Sequence, residues 1–361
     1  MHIQTQENTL EVYLLTLKEK IKTLGNAYGV SGDEFAVAKI AAELLAPYVD
    51  KVEVDEFGNV SGYKSCGKPG AKKLMLDAHI DEIGFLVTGI TKEGFIRFMG
   101  MGVDPRMLPG STLNVMTKKH GNILGVVGAV PPHLQAPGDQ TKALPIDKLY
   151  VDVGMPYEQV KEMVRIGDYM TFTSEAFDLL GDQVCGKSLD DRACFCCLLH
   201  ALELLQGKEL DVDLIVIGTT KEEIGGHGAS YRTYVDKPDL AVAIDVCHAR
   251  TDDNLPGDRV QDLGGGPVIT IGTNSVPRFA RKVIEIARAK DIPYQLSGAP
   301  AATGTNAWSM QIINEGCATL VVSLPLKYMH SPVEVLKMSD VENVGRLLAE
   351  LALDIDGRWQ I

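Results

Sequence analysis

The sequence predicts an α/β protein in which helices sandwich a mixed sheet and a small β-barrel domain is inserted into the middle of the chain. Three observations predict it. Four short apolar runs, each suited to a strand buried on both faces, lead to a histidine or a carboxylate. Segments with helical spacing fall between them. From about residue 84 to 177 the text becomes glycine-rich and strand-like, as in GFIRFMG, TLNVMTKK, GNILGVVGAV, LYVDVGM and GDYMTFTS, and its regular turn signals suit a small all-β unit.

Taken in order, the chain opens with MHIQTQENTLEVYLLTLKEK, which lacks the basic start and apolar stretch of a secretory signal and reads as an amphipathic helix. A second helix is expected over 33–47 (DEFAVAKIAAELLAP). The first apolar run, 73–76 (KLML), leads into Asp77, His79 and Asp81. The β insertion follows, with a polar Pro/Gly loop at 135–145 expected to be mobile. Asp190 and Asp191 then precede a helix over 193–206. Its segment ACFCCLLHALELL is apolar on nearly all sides, so Cys194, Cys196 and Cys197 are expected to pack as small hydrophobes and not to bind metal. The second run, 214–217 (LIVI), leads into Glu222 and Glu223, and the third, 240–244 (LAVAI), into Asp245. A helix over 277–290 begins at Pro277, which suits a first turn. The fourth run, 318–322 (ATLVV), leads to His330, and a helix over 339–353 follows. The expected domains are a discontinuous catalytic α/β unit, 1–83 with 178–361, and the inserted unit, 84–177.

Composition excludes several functions. The 361 residues carry a formal net charge of -13 with a pI near 5.1, so no lysine or arginine surplus exists to displace counterions from nucleic acid or an anionic membrane. No apolar run approaches the roughly 18 residues of a membrane span. Seven scattered cysteines form no disulfide-like framework, which points to reduced thiols and the cytoplasm.

In open α/β sheets, ligands bind beyond the carboxyl ends of the strands. Four strands that each deliver metal-type ligands to that edge are the strongest signal in the sequence. Histidines with carboxylates, without paired-cysteine spacing, describe a catalytic site of nitrogen and oxygen donors. His79 and Asp81 are two apart, so on an extended strand end they share a face, and Asp81 could fix the tautomer of His79. The candidates form a dinuclear set: His79 and Asp245 on one divalent ion, Glu223 and His330 on the other, and Asp190 bridging. Three carboxylates against two divalent cations leave one positive charge, which a hydroxide balances. A two-metal hydrolase needs such a balance. Glu222, next to the ligand Glu223, is then free to act as general base, and Gly225 and Gly226 allow the tight backbone there.

With these residues assembled, the chain resembles the glutamyl and tetrahedral aminopeptidase family of co-catalytic metallopeptidases. The matching text is DAHIDEIGF (77–85), GKSLDDRA (186–193), TTKEEIGGHGA (219–229), AIDV (243–246) and MHSPVEV (329–335). In the insertion, GVVGAVPPHL (125–134), LYVDVGMP (149–156) and IGDYMTF (166–172) also match. The resemblance implies a zinc-exopeptidase-like fold with a barrel that pairs subunits. It implies two zinc or cobalt ions held by His79, Asp190, Glu223, Asp245 and His330, with Glu222 as base and Asp81 as support. The activity implied is removal of amino-terminal residues from short peptides by a homo-oligomer built from dimers, up to a tetrahedral dodecamer. One departure is Asn306, in TGTNAW (303–308), where many relatives carry aspartate near the substrate pocket.

Other polar residues are expected in lesser roles. His227 and His248 read as loop or supporting histidines, His133 as structural, and His2, His120 and His200 as uninvolved. Arg250 reads as a surface arginine. A deacetylase or carboxypeptidase on the same metal core is the nearest alternative. A glycoside hydrolase needs two opposed carboxyl groups and usually an aromatic groove, which 2 Trp and 6% aromatic residues do not favour.

Overall fold

The computed structural model describes residues 15–128, 130, 132–134, 143–254, 259–356 and 359. His2, residues 135–142 of the expected polar loop, and residues 1–14 of the expected first helix lie outside them. Helix α1 (Leu17–Asn26) is capped by Thr16: its hydroxyl accepts from Glu19 N, and the Glu19 carboxylate accepts from Thr16 N. Helix α2 (Phe35–Leu45) buries Val37, Ala38, Ala41, Leu44 and Leu45, the stripe that a 3.6-residue repeat produces.

Strands β1 (Lys51–Val54), β2 (Val60–Lys64) and β3 (Lys72–His79) come next. The chain then enters a closed barrel of β4 (Gly84–Ile90), β5 (Ile96–Met101), β6 (Thr112–Thr117), β7 (Gly121–Val127), β8 (Val151–Asp152) and β9 (Tyr169–Phe172), joined in the order β4-β5-β8-β7-β6-β9. Alternation along β5 places Ile96 and Phe98 inside. Phe85 packs edge-on against Phe98 and Phe172, both at 5.4 Å, which fills the barrel with its own core. A short helix, α3 (Tyr157–Met163), lies within this region.

After β10 (Phe177–Leu179) and β11 (Gln183–Gly186), helix α4 (Leu189–Leu204) runs under the main sheet. It is buried on nearly every side, and Cys194, Cys196 and Cys197 are fully enclosed among leucines and Phe195 as free thiols, which agrees with the expected packing role. The rest of the main sheet is β12 (Val212–Thr219), β13 (Leu240–His248), β14 (Val268–Gly272), β15 (Gln295–Ala299) and β16 (Ala318–Leu326). Between these lie α5 (His227–Asp236), α6 (Pro277–Ala289) and α7 (Ala307–Met310); β17 (Glu334–Lys337) and α8 (Met338–Asp354) follow.

The eight strands stand in the order β1-β2-β12-β3-β13-β16-β14-β15. The four apolar runs singled out from the sequence are therefore the four central neighbours, β12, β3, β13 and β16, and all are mutually parallel. Parallel strands covered on both faces read as continuous apolar text, and their carboxyl ends open on one edge. The antiparallel pairs β1–β2, β2–β12 and β14–β16 make the sheet mixed. Among the described residues, no helix is long and apolar enough to cross a membrane.

Candidate metal centre

The carboxyl edge of the central strands gathers His79, Asp190, Glu222, Glu223, Asp245 and His330 around one cavity of about 380 Å³. His79 ends β3. Its Nε2 lies 3.2 Å from Asp190 Oδ1. Asp190 Oδ2 lies 3.4 Å from His330 Nε2, which is itself 3.3 Å from Glu223 Oε1. Asp190 thus turns one oxygen toward each imidazole. Ligand atoms of His79, Asp190 and Glu223 lie within 4.8 Å of one another, as do those of His79, Asp191 and Asp245.

Asp81 stands behind this cluster. His79 Nδ1 is 3.1 Å from the Asp81 carbonyl and 3.4 Å from its Oδ1, which leaves Nε2 facing Asp190. The same carboxylate accepts from Glu222 N at 3.1 Å, Glu223 N at 3.3 Å and Ser31 Oγ at 2.5 Å. One fully buried group therefore holds the His79 ring and the turn that carries both glutamates. A second buried carboxylate, Glu334 at the start of β17, ties two other segments: it accepts from Asp190 N at 3.1 Å and from His330 N at 2.9 Å. The barrel closes in from above. A Cβ on Gly102, where φ is +72°, would stand 3.5 Å from both Glu223 Oε2 and His330 Nδ1.

The electrostatics of the cluster test whether divalent cations suit it. For Asp190, burial opposes ionisation, but hydrogen bonds from His330 and His79 outweigh it and hold the carboxyl well below its usual range. For His330, hydrogen bonds to Asp190 and Glu223 push the ring up to about 11. Asp245, Asp191 and Glu222 go the opposite way. Burial, then the Glu222 charge, pushes Asp245 far up; burial, then Asp245, does the same to Asp191, and burial lifts Glu222 to about 7. Two imidazoles do not balance this many carboxylates. Asp191 Oδ1 is buried with no hydrogen-bond partner among the described residues. Oxygen and nitrogen donors, surplus negative charge and an unpaired carboxylate oxygen together fit divalent metal ions.

The profile of the M42 glutamyl aminopeptidase family matches residues 58–347. The lysyl aminopeptidase of Pyrococcus furiosus is 36% identical over 92% of this chain and 96% of its own length. The chain belongs to the M42 family. An aminopeptidase from the archaeon Desulfurococcus kamchatkensis superposes with a TM-score of 0.87 at 34% identity, covering 94% of this chain and 95% of that one. A Pyrococcus horikoshii TET1 peptidase that can assemble into a tetrahedron or a large octahedral shell superposes at 0.81 with 33% identity, over 94% of this chain and 100% of that one.

All seven residues singled out from the sequence of this M42 protein meet at the one site. Others lie apart. His227 starts α5, and His133 and His120 are exposed on the barrel side of the molecule, whereas exposed His248 lines the cavity of that site. His200 sits 3.4 Å from Glu203, and Arg250 is paired with Asp262 at 2.8 Å. Sequence reasoning took Asp191 only as part of a helix start. The second and third residues of α4, Asp190 and Asp191, have non-helical backbone angles and a cis peptide between them. Asp191 Oδ2 accepts from His79 N at 3.2 Å. Glu334 and Ser31 were also missed, although Glu334 stands four residues after His330.

Proposed function

We propose that the protein is a metal-dependent aminopeptidase that removes amino-terminal residues from short peptides, using two divalent ions, zinc or cobalt. His79 and Asp245 would hold one ion, Glu223 and His330 the other, and Asp190 both. The observation that supports this most is the position of Asp190, one oxygen toward each imidazole, in a chain of an aminopeptidase family. Bound ions supply Lewis acidity, activating a water near neutral pH and polarising the scissile carbonyl.

The chain's own residues do the rest. Glu222 lines the cavity, and its carboxylate belongs to neither group of clustered ligand atoms. It is the general base: it accepts a proton from the attacking water and returns it to the leaving amine. Asp81 is a positioning residue. It fixes the His79 tautomer and the backbone of Glu222 and Glu223 together, so base and ligands keep one geometry. In this proposal the catalytic unit is 1–83 with 178–361, and 84–177 pairs subunits into dimers and larger shells; the TET1 relative can assemble into a tetrahedron or a large octahedral shell. Seven free cysteines suit a cytoplasmic setting.

Metal titration combined with an aminoacyl chromogenic substrate panel tests the reading. Two tight ions per chain, hydrolysis of free-amino substrates only, and loss of activity on chelation with recovery on metal return are expected. A single tight ion in the active protein, or equal cleavage of amino-blocked substrates, would refute it.

A further inference from the structure

The loop between β15 and α7 forms one wall of the cavity through Ala302, Thr303, Gly304 and Thr305. Its last residue, Asn306, turns away from the cavity and is 3% exposed. Asn306 Nδ2 donates to Asp77 Oδ2 at 2.7 Å and to Thr219 Oγ1 at 2.9 Å. Asp77 lies in β3 two residues before His79, and Thr219 ends β12 just before the Glu222–Glu223 turn. Gly226, which ends that turn, packs on the same amide: a Cβ there would stand 3.2 Å from Asn306 Oδ1. One side chain therefore touches the strand that ends at His79, the strand that leads to the two glutamates, and the turn that follows them.

Asp77 is wholly buried, and its Oδ1 has no hydrogen-bond partner among the described residues, so the amide of Asn306 is a principal contact for this carboxylate. The other side of the loop is pinned by polar contacts too: Thr303 N donates to Asn274 Oδ1 at 2.8 Å, and the Thr303 and Thr305 hydroxyls lie 2.9 Å apart. An aspartate at 306 would set two carboxylates against each other at the distance now spanned by a hydrogen bond. The Asn306 amide supplies Asp77 with a donor that an aspartate could not.

We propose that Asn306, through Asp77, is a positioning residue that sets the register of the substrate-facing loop 300–305 against the ligand-bearing strands and so shapes the choice of amino-terminal side chain. This rests on the aminopeptidase reading for its kinetic readout only. The test compares the wild type, Asn306→Asp and the exchange Asp77→Asn/Asn306→Asp. Each is loaded with the same metal and assayed for kcat and KM on aminoacyl substrates with acidic, basic and apolar side chains. Metal content and amide hydrogen exchange over 300–305 are measured alongside.

Asn306→Asp is expected to raise KM by about tenfold for the preferred substrate, since a lost partner for a buried polar group has that order of effect. It should also reorder the panel and speed exchange at Thr303 and Thr305, with metal content unchanged. The exchange recreates one amide–carboxylate pair in reverse, with the Thr219 hydroxyl turning to donate, and is expected to restore the KM, the panel order and the slow exchange. Wild-type kinetics and loop exchange in Asn306→Asp would overturn the proposal. So would an exchange variant that folds and binds metal but keeps the altered panel. If Asn306→Asp does not fold, Asn306→Ser and the exchange variant decide by the same criteria. A wild type that cleaves none of the panel counts against the aminopeptidase reading instead, and loop exchange in the variants then decides this one.

Discussion

Glu222 and Glu223 are chain neighbours, yet their surroundings separate them: Glu223 Oε1 faces His330, and Glu222 faces the cavity. Substitution by glutamine keeps size and removes the proton acceptor. Glu222→Gln is expected to keep the fold and both ions while turnover falls about 10²–10⁴-fold, the usual contribution of a general acid–base group. Glu223→Gln is expected to lose metal, with partial recovery of activity at excess metal. Metal analysis beside single-substrate kinetics checks both, and the reverse pattern would mean the pair has been assigned the wrong way round. Apart from Asp190, which stands at a helix start, the residues legible in the sequence share a local cause, since each stands at or just beyond the end of an apolar run. Those that escaped act across long separations. Ser31 reaches Asp81 over 50 residues and Glu334 reaches Asp190 over 144. Asp191 escaped for a different reason: a capping role explains an aspartate at a helix start well enough to hide a second one.

At the scale of elements, Glu82 joins three parts of the molecule. It lies between β3 and the first barrel strand, and Lys187 Nζ at 2.8 Å, Thr171 Oγ1 of β9 at 2.9 Å and Ser188 Oγ all donate to its Oε2. Its Oε1 accepts from Gly29 N and lies 3.2 Å from Arg192 Nη2 in α4. Burial opposes its ionisation, and the charges of Lys187 and Arg192 outweigh that, holding Glu82 at about 2 against a reference of 4.5. A lowered carboxylate contributes stability that is complete above the unfolded value and lost as pH falls through the folded one. Glu82→Gln is therefore expected to cost about 3–5 kcal/mol at neutral pH. The gap from wild type should narrow between about pH 4.5 and 2. Denaturant unfolding across that range checks it, and a gap independent of pH would refute the ionic account. The four central strands and four of the helices were legible because continuous apolar runs and helical stripes are local signals. The short strands β1 and β2 went unread: β1 is partly exposed and β2 mixes small and polar residues, so neither carries a continuous apolar run. Their place in the sheet comes from pairing with each other and with β12.

At the scale of the whole molecule, the barrel has its own filled core and needs no further packing to close. Its outer face still carries large apolar side chains. On β7, Leu124 and Val126 are 60% and 46% exposed, while Val127 points inward and is buried. Single exposed hydrophobes are ordinary, but a run of them on one strand face is a candidate contact. Gly102, just after β5 of the same barrel, leans over Glu223 and His330. If β7 supplies part of the subunit contact, paired charges there should weaken assembly without disturbing the core, because alternate residues of a strand face opposite sides. Light scattering of the wild type is expected to give a mass several times the 39.1 kDa of one chain. Leu124→Glu with Val126→Glu is expected to shift that mass to a smaller species at micromolar concentration, while circular dichroism and metal content stay unchanged. A double variant that scatters like the wild type would remove β7 from the interface, and a wild type that scatters as a single chain would remove the pairing role from the barrel altogether.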